Sequence, residues 1–385
     1  MEKRRYKLKP NSFIIIIACF ALIILGNKIF AGDDYYFTAE NNLTSQKAEA
    51  IEILDYNYNE GTALLFSCKL LNGQDKGKTI EAVQFVDSYL GESIRQVQAG
   101  DTIYLGDAAS YNIGVDWFLY EYERFHGVAW LGLAFAVLLL IFGRKKGFKT
   151  IVSIVFTVLT IFMVFIPAVL SGYNVYMCSL ALCIYITLMS LLIVQGINAK
   201  CFAAILGCLG GLFVISIITV FMSSLLKITG LVSEDSVYLI QLNTATPIDL
   251  KAVVFASITI GAMGAVLDIA VDIVAALSEI NRHKIHMSLS KALKSGIIIG
   301  QDIVGSMSNT LILAYIGSSL SLILLVLVNT GSSTELLNSE LIIVEILQAL
   351  AGSIGILFTI PLTALSYGIL NNLDTKEKTD EILLP

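Results

Sequence analysis

The sequence predicts an all-α polytopic membrane bundle of about eight transmembrane helices, with a small extracytoplasmic β-rich domain between the first and second helices. Three observations predict this fold class. Hydrophobic residues make up 56% of the 385 positions and charged residues only 15%, against about a quarter in soluble domains. The apolar residues form long blocks, as they do in integral membrane proteins. The longest polar interval, residues 31–126, has strand-like patterns.

Eight apolar segments are long enough to cross a bilayer, which takes about 20 residues. The last two exceed that length, so we expect tilt, a kink or an interfacial portion in each, and a bend at Pro361. The segments are approximately 12–30, 127–143, 150–170, 175–196, 202–226, 252–278, 297–329 and 340–370.

Basic residues occur in alternate connections between these segments. Lysines and arginines cluster before residue 10, at 144–149, at Lys200 and at 282–294. The opposite connections hold the neutral run 172–174 and the acids Glu234, Asp235, Glu335 and Glu340, although Lys227 and Lys251 also lie on that side. The positive-inside rule therefore predicts that both termini are cytoplasmic and that residues 31–126 lie outside. The predicted parts are a basic tail with the first helix (1–30), the extracytoplasmic domain (31–126), a seven-helix membrane domain (127–370) and a cytoplasmic tail (371–385).

The first apolar segment also fits a signal peptide, because it follows a basic start. Ile29, Phe30 and Ala31 form a poor small-x-small cleavage site before Asp33. We therefore interpret 12–30 as an uncleaved anchor.

Strands are predicted throughout the polar interval. Residues 61–71 and 78–87 flank a Gly, Asn and Asp cluster, so we expect a hairpin there. With 48–54 before it and 99–106 after it, the set suffices for a small barrel or sandwich. The interval has sixteen Asp and Glu against six Lys and Arg, which argues against a nucleic-acid partner. Three interpretations of the outside domain remain open: an ordinary solvated domain, a vestibule that attracts cations, and a module that binds a partner.

Aromatic residues surround the start of the second apolar segment. They suit the headgroup level of a bilayer, where an amphipathic ring satisfies both phases. We interpret them as an interfacial anchor. They are Trp117, Phe118, Tyr120, Tyr122 and Trp130.

Acidic residues interrupt the sixth apolar segment. Asp268, Asp272, Ala275 and Glu279 are spaced so that they share one helix face. A charged side chain at mid-bilayer costs about 3 kcal/mol on insertion scales, so this face should meet protein or water. The structural alternatives are that Glu279 is solvated at the helix end, that Asp272 snorkels to the same interface and that Asp268 is structurally paired.

The seventh segment has a matching polar face. Asp302, Ser306 and Asn309 share it, and Gly305 lies beside it. Given the predicted directions of the two helices, Asp268 and Asp302 both fall in the inner half of the bilayer. We therefore expect the two faces to meet, although Asn309 could serve only as interhelical glue.

Further polar and small residues extend this pattern to other segments. Glu345 and Gln348 share a face of the eighth segment and could complete a polar path, although Glu345 could instead lie at the interface. Small residues at helix contacts let neighbouring backbones approach closely. The predicted packing glycines are Gly207 and Gly211 in GxxxG spacing, Gly261 and Gly264 before Asp268, and Gly305 and Gly352.

The sequence offers no metal or cofactor motif. Five of the six cysteines lie in apolar blocks, Cys68 is alone in the polar interval, and no CxxC pair occurs. We interpret His283 and His286 as solvated residues of a basic stretch, NRHKIHMSLSKALKSG, which suggests a short interfacial amphipathic helix. A phosphate loop, a Ser/His/Asp set and an HExxH motif are also missing from the sequence. We therefore expect no cofactor.

Two stretches, GAMGAVLDIAVDIVAALSEI at 261–280 and GQDIVGSMSNTLILAYIG at 300–317, resemble the YibE/F family of bacterial multipass membrane proteins. The resemblance extends over roughly residues 30–370 and implies a bacterial plasma-membrane location with no established activity. It also implies a basic residue at 301 and an uncharged one at 272, where this chain has Gln301 and Asp272. The motif positions that it implies are Gly264, Asp268, Glu279, Asp302, Gly305 and Asn309.

The leading functional hypothesis is a secondary transporter or ion-coupled permease. Protonatable acids on facing helices can take up a proton or cation on one side and release it on the other. Helix breaks at Gly296 and Gly300 and around Pro361 would suit a site near the midplane. We expect the partners to be the lipid bilayer, a proton or cation, and a second membrane protein or another copy of the chain.

Two other classes remain open. A non-transporting sensor or assembly factor would bind its partner through the outside β domain, and its acids would be structural. An intramembrane aspartyl protease would share a proton between Asp268 and Asp302. Such enzymes carry Gly-x-Gly-Asp, whereas this chain has Ile299-Gly300-Gln301-Asp302, so we expect the chain not to be an enzyme.

Overall fold

The computed structural model describes residues 11–30, 46–58, 63–85, 95–108, 114–232, 234–241, 247–282, 288–329 and 331–383. The chain divides into two compact units, Met1–Asp33 with Arg144–Pro385, and Asp34–Gly143. The interpretations made for His283 and His286 lie outside the described residues.

The second unit contains a closed five-stranded barrel. Its strands pair in the order β1-β2-β3-β5-β4, and antiparallel pairing of β1 with β4 closes the barrel. This connectivity, in which β3 and β5 are parallel, is that of the OB-fold. Phe66, Cys68, Ile103 and Leu105 are fully buried in its core. The strands are β1 (Gln46–Tyr58), β2 (Ala63–Leu70), β3 (Thr79–Phe85), β4 (Thr102–Asp107) and β5 (Trp117–Tyr122).

The fifth strand, β5, contains four of the five residues that the sequence predicted to be an aromatic anchor. Trp117 packs against the barrel core, and the Tyr122 hydroxyl donates to the Arg95 carbonyl at 2.8 Å. The alternation of a strand sends Phe118 and Tyr120 to the other side. The ring of Phe118 covers Gly106 on β4, where an added Cβ would come within 2.8 Å of ring carbons. These four aromatic residues thus belong to a barrel strand. The sequence did not reveal this, because a strand and an interfacial anchor can both be rich in aromatic residues.

The predicted second and third spans are separate helical stretches. After α1 (Asn11–Phe30), α2 (Phe125–Thr160) is broken at Arg144, whose φ of 47° and ψ of −123° are far from helical, so residues 125–143 and 145–160 are two helices divided by a kink. The predicted basic loop at 144–149 is thus reduced to a single non-helical residue. A π-helical turn (Ile161–Phe165) and α3 (Ile166–Leu170) follow. Pro167 lacks an N–H and cannot bond to the preceding turn, which favours such a local widening.

The rest of the first unit is helical. Two asparagines begin helices there, because the side chain of Asn174 accepts from the Met177 N–H and that of Asn198 from the Cys201 N–H. The predicted span 297–329 is interrupted at Ser319. The helices are α4 (Val175–Gln195), α5 (Ala199–Leu225), α6 (Glu234–Gln241), α7 (Leu250–Arg282), α8 (Leu289–Ser318), α9 (Leu320–Asn329), α10 (Ser333–Asn338) and α11 (Glu340–Leu383).

Six stretches of the described residues are long and apolar enough to cross a membrane. The sequence predicted eight, and two differences account for the lower count. Residues 125–170 count as a single candidate although Arg144 divides them, and α1 offers a described apolar part of only 17 residues. The candidates are Phe125–Leu170, Val175–Gln195, Ala199–Leu225, Leu250–Arg282, Leu289–Ser318 and Glu340–Asn371.

The predicted helix breaks are wrong. α8 continues through Gly296 and Gly300, and α11 continues through Pro361. Both glycines lie against α11, since a Cβ on Gly296 would overlap Ala364 and one on Gly300 would overlap Ile360. A membrane helix bonds its backbone internally and tolerates glycine, which here serves close packing.

Candidate functional site

The acids of α7 lie on the side of the helix that faces away from the bundle core. Val266, Ile269 and Ile273 are fully buried, whereas Asp268 and Asp272 are exposed. The helical repeat produces this separation, because the acids recur at four-residue spacing between buried apolar positions. Gly264 is on the exposed side, with open space where a Cβ would be.

The polar residues of α8 are arranged in the same way. Asp302 is two positions, or roughly 200° of helical rotation, from Gly300, which is buried against α11. Gly305, Ser306 and Asn309 are exposed together with Asp302. The Ser306 hydroxyl donates to the Ile303 carbonyl at 2.8 Å, so it is satisfied within its own helix.

The structure does not bury these two faces against each other. Within the described part of the chain, no hydrogen bond or ion pair joins Asp268 or Asp272 to Asp302. All three carboxylates are exposed, whereas the sequence analysis expected the facing helices to cover them. A carboxylate that faces lipid is costly, so each face requires water or a further protein surface at membrane depth.

A second polar cluster forms where α7, α8 and α11 meet. A Cβ on Gly261 would come within 3.1 Å of the Tyr315 hydroxyl and 3.2 Å of Gln348 Nε2. The Tyr315 hydroxyl is buried, and Glu345 lies close enough to act on it electrostatically. Sequence reasoning identified Gly261, Gln348 and Glu345 but missed Tyr315. Tyr315 lies four residues after Leu311, which is buried, so the helical repeat puts both side chains on the same side of α8. That spacing was the signal from which a buried Tyr315 could have been predicted.

The predicted GxxxG glycines interlock α5 with α11. A Cβ on Gly207 would overlap the Thr363 side chain and come within 2.7 Å of its Cα. A Cβ on Gly211 would overlap Thr359 Oγ1 and come within 3.2 Å of the Gly355 carbonyl. The two helices are therefore in contact at every fourth residue, in antiparallel register.

Gly352, another predicted packing glycine, sits elsewhere on α11. A Cβ there would come within 2.6 Å of Leu311 of α8 and 3.4 Å of Ala262 of α7. α11 thus packs closely against three helices. By contrast, Gly305, like Gly264, has nothing within 4 Å of an added Cβ, so neither glycine packs a helix among the described residues.

Glu340 ties the start of α11 to the end of α5. Its carboxylate accepts from the N–H groups of Thr229 and Gly230, each at 2.7 Å, and from the Thr229 hydroxyl at 2.8 Å. Charge-assisted hydrogen bonds of this kind are about twice as strong as neutral ones. Its sequence position indicated only an acidic connection and gave no sign of this contact.

Glu279 ends the acidic series at the end of α7. Its carboxylate pairs with Arg282 Nη1 at 3.0 Å, and both side chains are exposed. This arrangement agrees with the solvated alternative for Glu279. The described residues contain no group of three or more His, Cys, Asp and Glu side chains that could hold a metal.

A comparison with protein families supports the resemblance of the two acid-bearing helices. The model for the YibE/F-like protein family matches residues 131–372, which run from α2 to α11. The barrel strands precede this match, so its extent is shorter than the roughly 30–370 that the resemblance suggested. No curated protein and no solved structure matches the chain significantly. Since the match covers more than half of the chain, the protein belongs to the YibE/F-like protein family.

Proposed function

We propose that this protein is a secondary transporter or ion-coupled permease of the bacterial plasma membrane. Asp268 and Asp272 of α7 and Asp302 of α8 bind the proton or cation. Both termini are cytoplasmic in this proposal, and the barrel is outside. The alternation of basic and neutral or acidic connections supports that orientation.

The observation that carries the proposal is the position of the acids. α7 and α8 each pack on one side and hold their acids on the other side, within segments long and apolar enough to span a membrane. Carboxylates in such segments are rare, costly and associated with ion and proton pathways. Ion exchange at these carboxyl groups requires a water-filled path along each face, which in this proposal lies between the bundle and the protein that covers it.

The residues beside the acids suit an ion path. Ser306 and Asn309 add oxygen ligands on the Asp302 face, and the open positions at Gly264 and Gly305 leave room next to the carboxylates. A second copy or another membrane protein covers these faces in the proposal, because the described bundle leaves them exposed. The coupling ion is a proton or a hard cation, since carboxylate, hydroxyl and amide oxygens are the donors.

Flux measurements on acid variants test this function. A deletion strain is first screened for sensitivity to many ions and small solutes, which identifies a transported species. The full chain is then reconstituted in liposomes, and flux of that species is followed with an internal pH or ion indicator. We expect Asp268→Asn and Asp302→Asn each to lower flux by about tenfold or more, since the amide cannot take up a proton.

Glu279→Gln is the matched control, because it removes a carboxylate from the same helix face where Arg282 already pairs with it. Its flux should equal that of the wild type. Wild-type flux in both aspartate variants, with normal membrane insertion, would exclude these carboxylates from the mechanism. An absence of flux in the wild type for every species tested would reject the transporter.

One observation on the barrel favours a second function, that of a sensor or assembly factor. Phe85, Phe118 and Tyr120 form an outward row, with ring centroids 5.9 Å and 6.4 Å apart along it. OB-fold barrels bind ligands on their outer strand faces and loops, and aromatic rings are frequent anchors of such contacts. A photo-crosslinker at position 120 of the full chain tests this alternative. It would replace the transporter if a partner is captured there and Asp268→Asn behaves as wild type.

A further inference from the structure

A polar cavity of about 260 Å³ lies where α5 begins and α7 ends. The three carboxylates of the proposed ion path, Asp268, Asp272 and Asp302, do not line it. Three helices supply its walls. Its polar side chains include Lys200 from α5, Ser278, Asn281 and Arg282 from α7, and Tyr367 and Asn371 from α11.

The charged side chains that the structure describes at this cavity are positive on balance. Lys200 is partly buried, and no ion pair contacts it among the described residues. It lies close enough to Arg282 and Glu279 for both charges to act on it. Glu279 bonds one nitrogen of the Arg282 guanidinium, which has five N–H donors, so most of that donor capacity is left for another acceptor. Two cations and one carboxylate leave one net positive charge.

Neutral hydrogen-bonding groups form the floor of the cavity. Ser278 and Tyr367 are each only 5% exposed, and the side chains of Ser278 and Asn281 lie beside the Tyr367 hydroxyl. The amide of Asn281 donates to the Asn371 side chain at 2.9 Å, which fixes its orientation. Hydroxyl groups can rotate to donate toward an anion. The cavity thus combines a partly buried lysine and an exposed arginine with buried hydroxyl groups and an amide.

We propose that this cavity binds a phosphate-type anion. Lys200 and Arg282 neutralise its charge, and the hydroxyl groups of Ser278 and Tyr367 donate to its oxygens. The volume is slightly below the roughly 300–1,000 Å³ of typical small-molecule pockets, which suits a phosphate group with a small substituent. The anion is either a free phosphate or the headgroup of an anionic phospholipid, because the cavity lies at the end of membrane-length helices. This site does not depend on the proposed transport.

Two binding measurements on the purified full chain distinguish these sources. In a neutral detergent, inorganic phosphate is titrated and the thermal stability of the protein is recorded. In nanodiscs, retention of phosphatidylglycerol is compared with that of phosphatidylcholine by native mass spectrometry. Stabilisation by phosphate alone identifies a free anion, and selective retention of phosphatidylglycerol alone identifies a lipid headgroup. Both results support the site.

Variants connect either signal to this cavity. We expect Lys200→Gln to weaken binding about tenfold or more, since a charge-assisted contact is lost. Lys294→Gln removes an exposed lysine of α8 and should have no effect. Tyr367→Phe keeps the buried ring, so it should fold and still weaken binding several-fold. Glu279→Gln should tighten binding, because it releases Arg282 from a competing carboxylate.

The proposal is overturned if neither phosphate nor phosphatidylglycerol binds. It is also overturned if Lys200→Gln and Lys294→Gln weaken binding equally, since that result would indicate general surface attraction. If Lys200→Gln fails to fold, Tyr367→Phe and Glu279→Gln decide the matter. Wild-type affinity in both of those variants would reject the cavity as the binding site.

Discussion

Gly207→Leu is expected to destabilise the helical bundle by about 3 kcal/mol or more, or to prevent its folding. The new side chain would overlap Thr363 of α11, and its Cβ alone would come within 2.7 Å of the Thr363 Cα. A backbone atom cannot rotate away, so the two helices would have to separate and lose the neighbouring contact at Gly211. Thermal unfolding of the purified chain in detergent, followed by helical circular dichroism, measures the effect.

Gly264→Leu is the matched control, because its Cβ would have nothing within 4 Å. Both changes place the same side chain at a glycine of a membrane-length helix. The melting temperature of Gly264→Leu should stay close to that of the wild type. Equal melting temperatures for the two variants would show that α5 and α11 do not interlock as described.

Phe66→Ala is expected to destabilise the barrel by about 3–5 kcal/mol, because it removes a fully buried aromatic ring from a small core. Cys68 reports the opening of the barrel. It belongs to the same core cluster, and burial raises the pKa of its thiol to about 12. The thiolate is the reactive form, so the folded barrel should resist maleimide at neutral pH.

The measurement uses a chain whose other five cysteines are alanine, with labelling at Cys68 followed over time. Labelling then requires the barrel to open, so Phe66→Ala should accelerate it by about two to three orders of magnitude. Tyr56→Ala changes an aromatic residue of β1 that is 60% exposed, and it should leave the rate near that of the wild type. Rapid labelling of the otherwise unchanged chain would contradict the buried position of Cys68.

The barrel shows what local pattern can and cannot predict. Alternation and turn residues located β1 to β4, although β2 is buried along most of its length. β5 was assigned to the membrane interface. Its residues Trp117 to Tyr122 are nearly all aromatic or apolar, so composition alone could not separate a strand from an interfacial anchor.

The membrane helices show a different limit. Spacing correctly placed Asp268 with Asp272 and Asp302 with Ser306 on common faces, since the helical repeat determines which residues share a side. It could not determine what each side meets, because tertiary packing decides how a helix is rotated in the bundle. Gly296 and Gly300 illustrate the same point. They were interpreted as breaks, but α11 lies against them and uses the missing side chains for contact.

The antiparallel pair of α5 and α11 constrains how this protein can change shape. Thr363 and Thr359 of α11 fill the space that the missing side chains of Gly207 and Gly211 leave on α5. At the other end of the pair, the Glu340 carboxylate at the start of α11 accepts hydrogen bonds from the residues that follow α5. If one helix moved along the other by a single residue, about 1.5 Å, the threonine side chains of α11 would overlap the backbone of α5. The two helices should therefore move together, and α8, which meets α11 at Gly296 and Gly300, should move with them. In the proposed transporter, any alternation between inward-open and outward-open forms has to come from helices outside this group.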